Sequence, residues 1–496
     1  MYLCRDNMSI LTQITYSITN FMKRTLSAII AGIIVLFAAS CETNEPGNDG
    51  RLATPYFTIN VDGNVITVAW EEVTGAAYYE VGLEPGSIEK TDKLIHRFDN
   101  LEYNTEYKVS VRAISTDGEK NSEATEKSVK TAERIVPAYR EWAPTYGAAA
   151  QAISNNGRWV VGGNDRNGFV LDLSTDKMTE FTSAEFYDVA DDGTAVGSDH
   201  SENADGDAAI LIGDKVVKIK GVAELADTYA MSCATGITPD GSYVVGWFYE
   251  HNESAYFAQQ YGYVVPFCYD VLNERVTVPT VGNRIYNEAA ATAIKSVTPE
   301  RELLGYEQSL GIHNIIWKDE YTPFEYAYFQ YNEQYEPVFS MGDTQNFFTQ
   351  KGSYIYGKAV DYANGQVSYA AAFDRKNNQL MTFIGGSVTA MSEDGIAYLN
   401  DVPYYIGTTS YVIDTKTGVY DEWTPLEEWL FDEHDIDIAA FEPMTDETKD
   451  DGLLLEGVIV VAASEDGRKI VGITNTNYGW VTFVVDFDGE GRPDLN

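Results

Sequence analysis

Basic side chains are scarce in this sequence: 34 Lys and Arg stand against 76 Asp and Glu, a formal net charge of -42. A phosphate backbone needs a basic surface, so DNA and RNA are excluded as partners. Cysteine is scarcer still, with four in the chain. Cys4 and Cys41 lie near the N-terminus, and Cys233 and Cys268 fall in apolar runs, "MSCATGI" and "VVPFCYDV". Those two runs read as strands separated by a third, which puts the thiols about 10 Å apart, beyond disulfide reach. They are expected to be small core residues. The five histidines, His96, His200, His251, His313 and His434, have no metal-ligand spacing. There is no His-Glu-x-x-His, no Gly-x-Ser-x-Gly and no phosphate-binding Gly-rich loop. Long apolar runs are also missing. The longest, Thr25 to Ser40, is shorter than the roughly 20 residues that span a bilayer.

That run follows Met22-Lys23-Arg24 and leads into Cys41, the order of a secretory signal: basic, apolar, small. "FAASC" resembles a bacterial lipobox, with Ala38 where Leu is usual. The resemblance implies cleavage before Cys41 and acylation, including palmitate, of that residue as a lipid anchor; several chains on one residue hold a membrane firmly. Residues 1–21 read as an over-extended start before a signal peptide ending at 41. Residues 42–53, polar and rich in turn formers, read as a flexible tether. Their early acidic residues resemble the surface-export signal of Bacteroides-group lipoproteins. The expected location is therefore the outer membrane, lipid-anchored and exposed at the cell surface, with a periplasm-facing orientation as the alternative.

What is abundant is β-pattern. Hydrophobic residues make up 44% and aromatics 13% of the chain, enough for globular cores, and the length calls for more than one domain. Residues 54–133 alternate with period two, as half-buried strands do. Asp62-Gly63-Asn64 supplies a hairpin turn. The pattern of Trp70, Tyr79, Leu101, Tyr107, Val109, Val111 and Ala113 resembles a fibronectin type III domain. Leu101 followed by Asn104-Thr105-Glu106-Tyr107 matches that family's tyrosine corner, which implies a phenol capping nearby backbone. Such a domain is expected to act as a spacer.

From 134 to 496 the chain repeats itself. "AISNNGRWVVGG" returns as "GITPDGSYVVGW" and "AASEDGRKIVGI", each followed by an aromatic-aliphatic strand pair. Seven versions can be laid out, around turn glycines that include Gly157, Gly193, Gly241, Gly352, Gly395 and Gly467. Four strands per unit of about 40 to 50 residues is the arithmetic of a β-propeller blade. The seventh unit lacks an outer strand, and "YREWAPTYG" before the first unit supplies a spare. The reading is an all-β chain: a fibronectin type III sandwich, then a propeller of seven blades in which the N-terminal strand closes the last. Residues 425–452 form an insertion with helical spacing in Leu426, Trp429 and Leu430. A terminal Gly in units such as "VVGG" is expected to let the chain leave a crowded blade. This half also resembles the bacterial extracellular repeat family named for its His-Ala-Phe (HAF) motif, through "AASEDGRKIVGI" and "PLEEWLFDEHDIDI", although His-Ala-Phe itself is absent. The family implies a secreted propeller and transfers no catalytic residue.

The C-terminal "DFDGEGRPDLN" places Asp486, Asp488, Glu490 and Asp494 at the spacing of a calcium loop, with the acid at the twelfth position missing. A polar tail is the preferred reading, and no cofactor is expected beyond that candidate calcium. Acids are too abundant to nominate a catalytic pair. The 34 tyrosines serve either blade packing or sugar stacking. The favoured function is a non-enzymatic lipoprotein that presents its propeller to an extracellular glycan or protein. Two alternatives stay open: a glycoside hydrolase or lyase working at the central channel, and a structural subunit of an outer-membrane complex. A deep axial pocket with facing carboxylates, or with His beside Tyr or Arg, would favour the enzyme. The insertion at 425–452 and "FYEHNESAYFAQQYGY" (Phe248 to Tyr263) are the expected contact loops, because insertions on one face of a repeat fold carry function.

Overall fold

A computed structural model describes residues 50–489, apart from 100, 133–137, 165, 283, 285–288, 310, 334–336, 384–385, 401–409, 421–422, 437–457 and 477–478. The chain divides into two compact units, residues 1–134 and 135–496.

In the first unit, strands Phe57–Asp62, Val65–Trp70 and Ile95–Phe98 form one sheet, and Ala76–Glu84, Ile88–Thr91, Glu106–Ser115 and Thr125–Lys130 form the other. Alternation sends Ile66, Val68 and Trp70 of the first sheet inward against Val81, Val109 and Val111 of the second. The Trp70 ring meets Tyr79 edge-on, with centroids 5.4 Å apart. The Tyr79 hydroxyl in turn accepts the Val73 N–H at 2.8 Å. The expected corner is present: the Tyr107 hydroxyl accepts the Glu102 N–H at 3.0 Å.

The second unit is the expected ring of seven blades, at 149–182, 184–218, 229–277, 291–326, 329–383, 387–425 and 458–486. Six are four-stranded, the third and fourth being linked by one parallel pair, Val264↔Ala291, and the fifth has six strand segments. The last blade supplies three strands of its own. Its fourth is Tyr139–Trp142, which pairs antiparallel with Gly479–Asp486 through Tyr139↔Val485 and Trp142↔Thr482. Closure covers the edge of Gly479–Asp486 that would otherwise stand open to other chains. Arg140 of that strand also reaches the first blade, donating to the Leu173 carbonyl at 3.2 Å and to Asp176.

Within a blade the apolar pairs of the second strand point opposite ways. Val160 packs with Val471 and Val484 of the last blade, and Val161 with Phe186 and Val189 of the second. That is why these strands read as continuous apolar runs: both faces are buried between blades. The repeated turn is held by its hydroxyl. Ser154, Thr238 and Ser464 donate to Asn156, Asp240 and Asp466 at 2.7, 2.6 and 2.7 Å. The same oxygens accept the N–H groups of Trp159, Tyr243 and Lys469 at 3.0, 3.1 and 3.0 Å. Gly157, Gly241 and Gly467 then sit at φ of 68, 71 and 68°, a region that excludes most side chains.

These turns interlock around one face of the ring. Asn156 N–H donates to Asp191 at 2.8 Å, Asp191 N–H to the Pro239 carbonyl at 2.8 Å, and Glu465 N–H to the Asn155 carbonyl at 3.1 Å. Arg375 clamps Glu302 of the neighbouring blade through two bonds of 2.9 and 3.0 Å. The repeated motif is thus a fastening between blades, and the long connections gather on the opposite, loop face.

Candidate functional site

The inner strands share a feature that the repeat alone does not announce. Each of six carries a β-bulge at the same register, between Ala150 and Ala152, Phe186 and Asp188, Ala234 and Gly236, Ile294 and Ser296, Val388 and Ala390, and Val460 and Ala462. A bulge re-aims the residue it leaves unpaired. Here those residues are Gln151, Tyr187, Thr235, Lys295, Thr389 and Val461, and all six line a cavity of about 110 Å³ on the axis. In the fifth blade the bulge swells into an excursion, 342–346, between the pairs Met341↔Ala359 and Phe347↔Tyr356. Asn346 closes that excursion with two bonds to the backbone of Lys358, each 2.8 Å.

The bulges explain the glycines. Gly162, Gly197, Gly246 and Gly305 face the bulges from the second strand, and a Cβ there would lie 2.2, 1.8, 2.1 and 2.1 Å from the carbonyl oxygens of Ala149, Glu185, Cys233 and Ala293. Gly472 repeats the relation with Ile459 at 2.5 Å. The strand runs on past each of them, so the glycine accommodates a kinked neighbour rather than an exit from the blade. The sixth blade has Leu399 in that register, opposite Val388, so the pairing of bulge and glycine is a habit of five blades and not a condition of the ring.

Two charged groups line the cavity, Asp188 and Lys295. Asp188 accepts the N–H groups of Val189 and Ile237, each at 2.9 Å, and so joins the second blade to the third. Burial nevertheless pushes its carboxyl up to about 7, against the pull of those two bonds. Burial lowers the Lys295 amine, opposed by the Asp343 carboxylate nearby. At the turn end Gln350 reaches across the axis, donating to the carbonyls of Ile153 at 3.3 Å and Ala463 at 3.1 Å. At the loop end the hairpin strand Phe329–Tyr331 pairs with Pro337–Met341 and adds a further strand on the axial side of the fifth blade. The arrangement holds a single carboxyl and no histidine among its lining residues, and so lacks the facing pair that acid-base cleavage of a glycosidic bond uses.

The loop face is aromatic. The expected contact loop after Phe248 contains a short helix, Tyr256–Tyr261. Tyr256 is 69% exposed, Tyr249 and Tyr263 stack at 6.2 Å, and His251 lies edge-on to Tyr249 at 4.9 Å. Tyr146, on another connection of the same face, and Tyr331, at the end of the hairpin strand Phe329–Tyr331, are 49% and 41% exposed. The insertion after 425 begins with the helix Leu426–His434, whose Leu426 and Leu430 are fully buried; 437–457 lie outside the described residues. Beside that helix, but at the turn end of the sixth blade, where the Thr415 N–H donates to the Gly395 carbonyl at 3.0 Å, a groove of about 530 Å³ is lined by Trp423, Trp429, Asp414 and Thr417, with Trp423 40% exposed.

Asp486 lies 3.4 Å from Lys469 and Asp488 is 2.9 Å from Arg468, while Glu490 and Asp494 lie outside the described residues, as does Cys41. Among the described residues no group of three His, Cys, Asp or Glu side chains is placed to hold a metal ion. Cys233 and Cys268 are buried free thiols on strands separated by Tyr243–Glu250, and burial pushes both up to about 12. Sequence reasoning missed the axial ring. Its signal was present, since each bulged residue stands three positions before the residue that opens a turn: Gln151 before Ser154, Lys295 before Thr298, Thr389 before Ser392.

No protein-family model and no curated protein sequence matches the chain. Among solved structures, a mutant of FN3tt is similar at 30% identity over 16% of this chain and 96% of its own, with a TM-score of 0.15. The β-propeller domain of the Trilobed protease from Pyrococcus furiosus is similar at 10% identity over 85% of this chain and 99% of its own, TM-score 0.36. A TolB-like protein from Agrobacterium tumefaciens is similar at 11% over 52% and 83%, TM-score 0.34. The strand orders and the tyrosine corner above make the chain an all-β protein built of a fibronectin type III sandwich followed by a seven-bladed β-propeller.

Proposed function

We propose that this protein is a non-enzymatic, lipid-anchored lipoprotein of the bacterial outer membrane, held through Cys41 and exposed at the cell surface, whose propeller captures a glycan on its loop face. The observation that carries the reading is the contrast between the two ends of the ring. The turn face is spent on fastening one blade to the next. The loop face sets out exposed tyrosines: Tyr256, 69% exposed, in the connection after Phe248, with Tyr146 and Tyr331 elsewhere on that face. Flat aromatic faces with polar rims stack on sugar rings, and the phenol adds a hydrogen bond. The axial cavity, with one carboxyl, supports binding over hydrolysis.

The test is a glycan array probed with residues 52–496, beside assays for sugar release from the same glycans. Binding without release is the expected result, weakened at least about fivefold by Tyr256→Ala with the unfolding midpoint unchanged. Release of sugar would overturn the non-enzymatic reading. No glycan bound would replace the glycan by a protein partner. Labelling with palmitate, lost in Cys41→Ala, tests the anchor separately.

A further inference from the structure

The axial cavity holds a charge with no direct partner. Lys295 occupies the bulge of the fourth blade and lines the cavity, and its ammonium has no hydrogen bond or ion pair among the described residues. The acid nearest it in effect, Asp343, is itself engaged 3.5 Å from Lys358. Asp188, across the same cavity, gives both its oxygens to backbone N–H groups. Two of the other bulged residues have spent their hydroxyl protons: Thr235 donates to the Ile294 carbonyl at 2.8 Å and Thr389 to the Val460 carbonyl at 2.6 Å. Gln151 keeps its side-chain amide, and Ser296 its hydroxyl, without a partner among the described residues.

A half-buried lysine without a direct counter-charge gives up part of its hydration with no ion pair in return, by the same physics that makes a half-broken buried ion pair unfavourable. Apolar side chains would fill this position more stably, as Val461 does in the seventh blade. The lining therefore offers a cation and two neutral donors around a space that admits several waters or one small oxyanion. We infer that the axial cavity is a binding site for a small oxyanion, of the size and chemistry of a carboxylate or phosphate group, held by the Lys295 ammonium with the Gln151 amide and the Ser296 hydroxyl. It is separate from the loop-face surface and stands whether or not that surface binds glycan.

The experiment is a titration of the full-length protein at pH 6, followed by thermal unfolding and by calorimetry. Sodium phosphate and sodium acetate are compared with sodium chloride at matched ionic strength. The expected result is a saturable rise in unfolding midpoint with phosphate or acetate and not with chloride; which of the two acts assigns the oxyanion. Lys295→Met should weaken that binding by about tenfold or more, the worth of a hydrogen bond to a charged group. Lys295→Arg, which keeps the cation, should retain it. No saturable effect beyond chloride, or equal binding by Lys295→Met, would overturn the assignment. The midpoints of the two variants without added anion show directly that they are folded.

Discussion

Gly305 pairs with Ile294 on the inner strand of the fourth blade, and a methyl group on Gly305 would lie 2.1 Å from the carbonyl oxygen of Ala293. The contact is with backbone, which cannot rotate away. Gly305→Ala should therefore cost about 1–3 kcal/mol or more, as overpacking does. Denaturant unfolding measures it. An unchanged midpoint would mean that the bulge relaxes at little cost.

The repeated turn makes a second case. Thr238 is 1% exposed, and its hydroxyl both donates to Asp240 and accepts the Tyr243 N–H. Thr238→Val keeps the shape and leaves that N–H unanswered, so a loss of about 1–3 kcal/mol is expected. Thr417, an exposed residue whose hydroxyl donates to the Asp414 carbonyl, should lose much less on the same change.

Asp188 gives a pH signature. Its folded-state carboxyl stands near 7, above the ordinary aspartate value of about 3.9. A raised acid means that the folded chain holds a proton the unfolded chain has released, so this group's contribution falls as pH rises from about 4 to about 7 and is flat above. The general self-repulsion of an acidic chain has the same sign, so the test is a difference. The fall in unfolding midpoint between pH 5 and pH 8 should be smaller in Asp188→Asn than in the parent, and equal slopes would count against the raised value.

Removing residues 139–142 should open the ring. The edge of Gly479–Asp486 would lose its partner strand, and the two-sided apolar blade beside it would become a template for other chains. Size-exclusion chromatography should show higher oligomers or loss of soluble protein where the intact chain is dispersed.

The architecture was legible wherever local chemistry and global fold ask for the same residue. Asn156-Gly157 announces a tight turn and is one; Leu426 and Leu430, four apart, announce a helix and bury together. Tyr107 announces a corner because one hydroxyl has one backbone partner to find. The axial site was illegible for the complementary reason. Lys295 sits in "AIKSVTP" as the one charged residue of the strand Ala291–Val297, with polar Ser296 beside it, so alternation alone does not say which of the two faces the axis. The bulge turns Lys295 to the axis, and a bulge leaves its trace on the partner strand, in Gly305, which reads as an ordinary strand glycine. The excursion at 342–346 hid the inner strand of the fifth blade in the same way. The helix Tyr256–Tyr261 is too short to show a period.

The closing strand also sets how the propeller meets force. Everything N-terminal to Tyr139 is tethered to the ring through that strand, so tension along the chain enters at Tyr139–Trp142. The load falls on hydrogen bonds lying side by side along Gly479–Asp486, which must shear together rather than unzip in turn. The Arg140 grip on Asp176 and Leu173 spreads the same load into the first blade. Tension applied at the N-terminal side of Tyr139 would thus be felt at the joint where the first and last blades are sewn together.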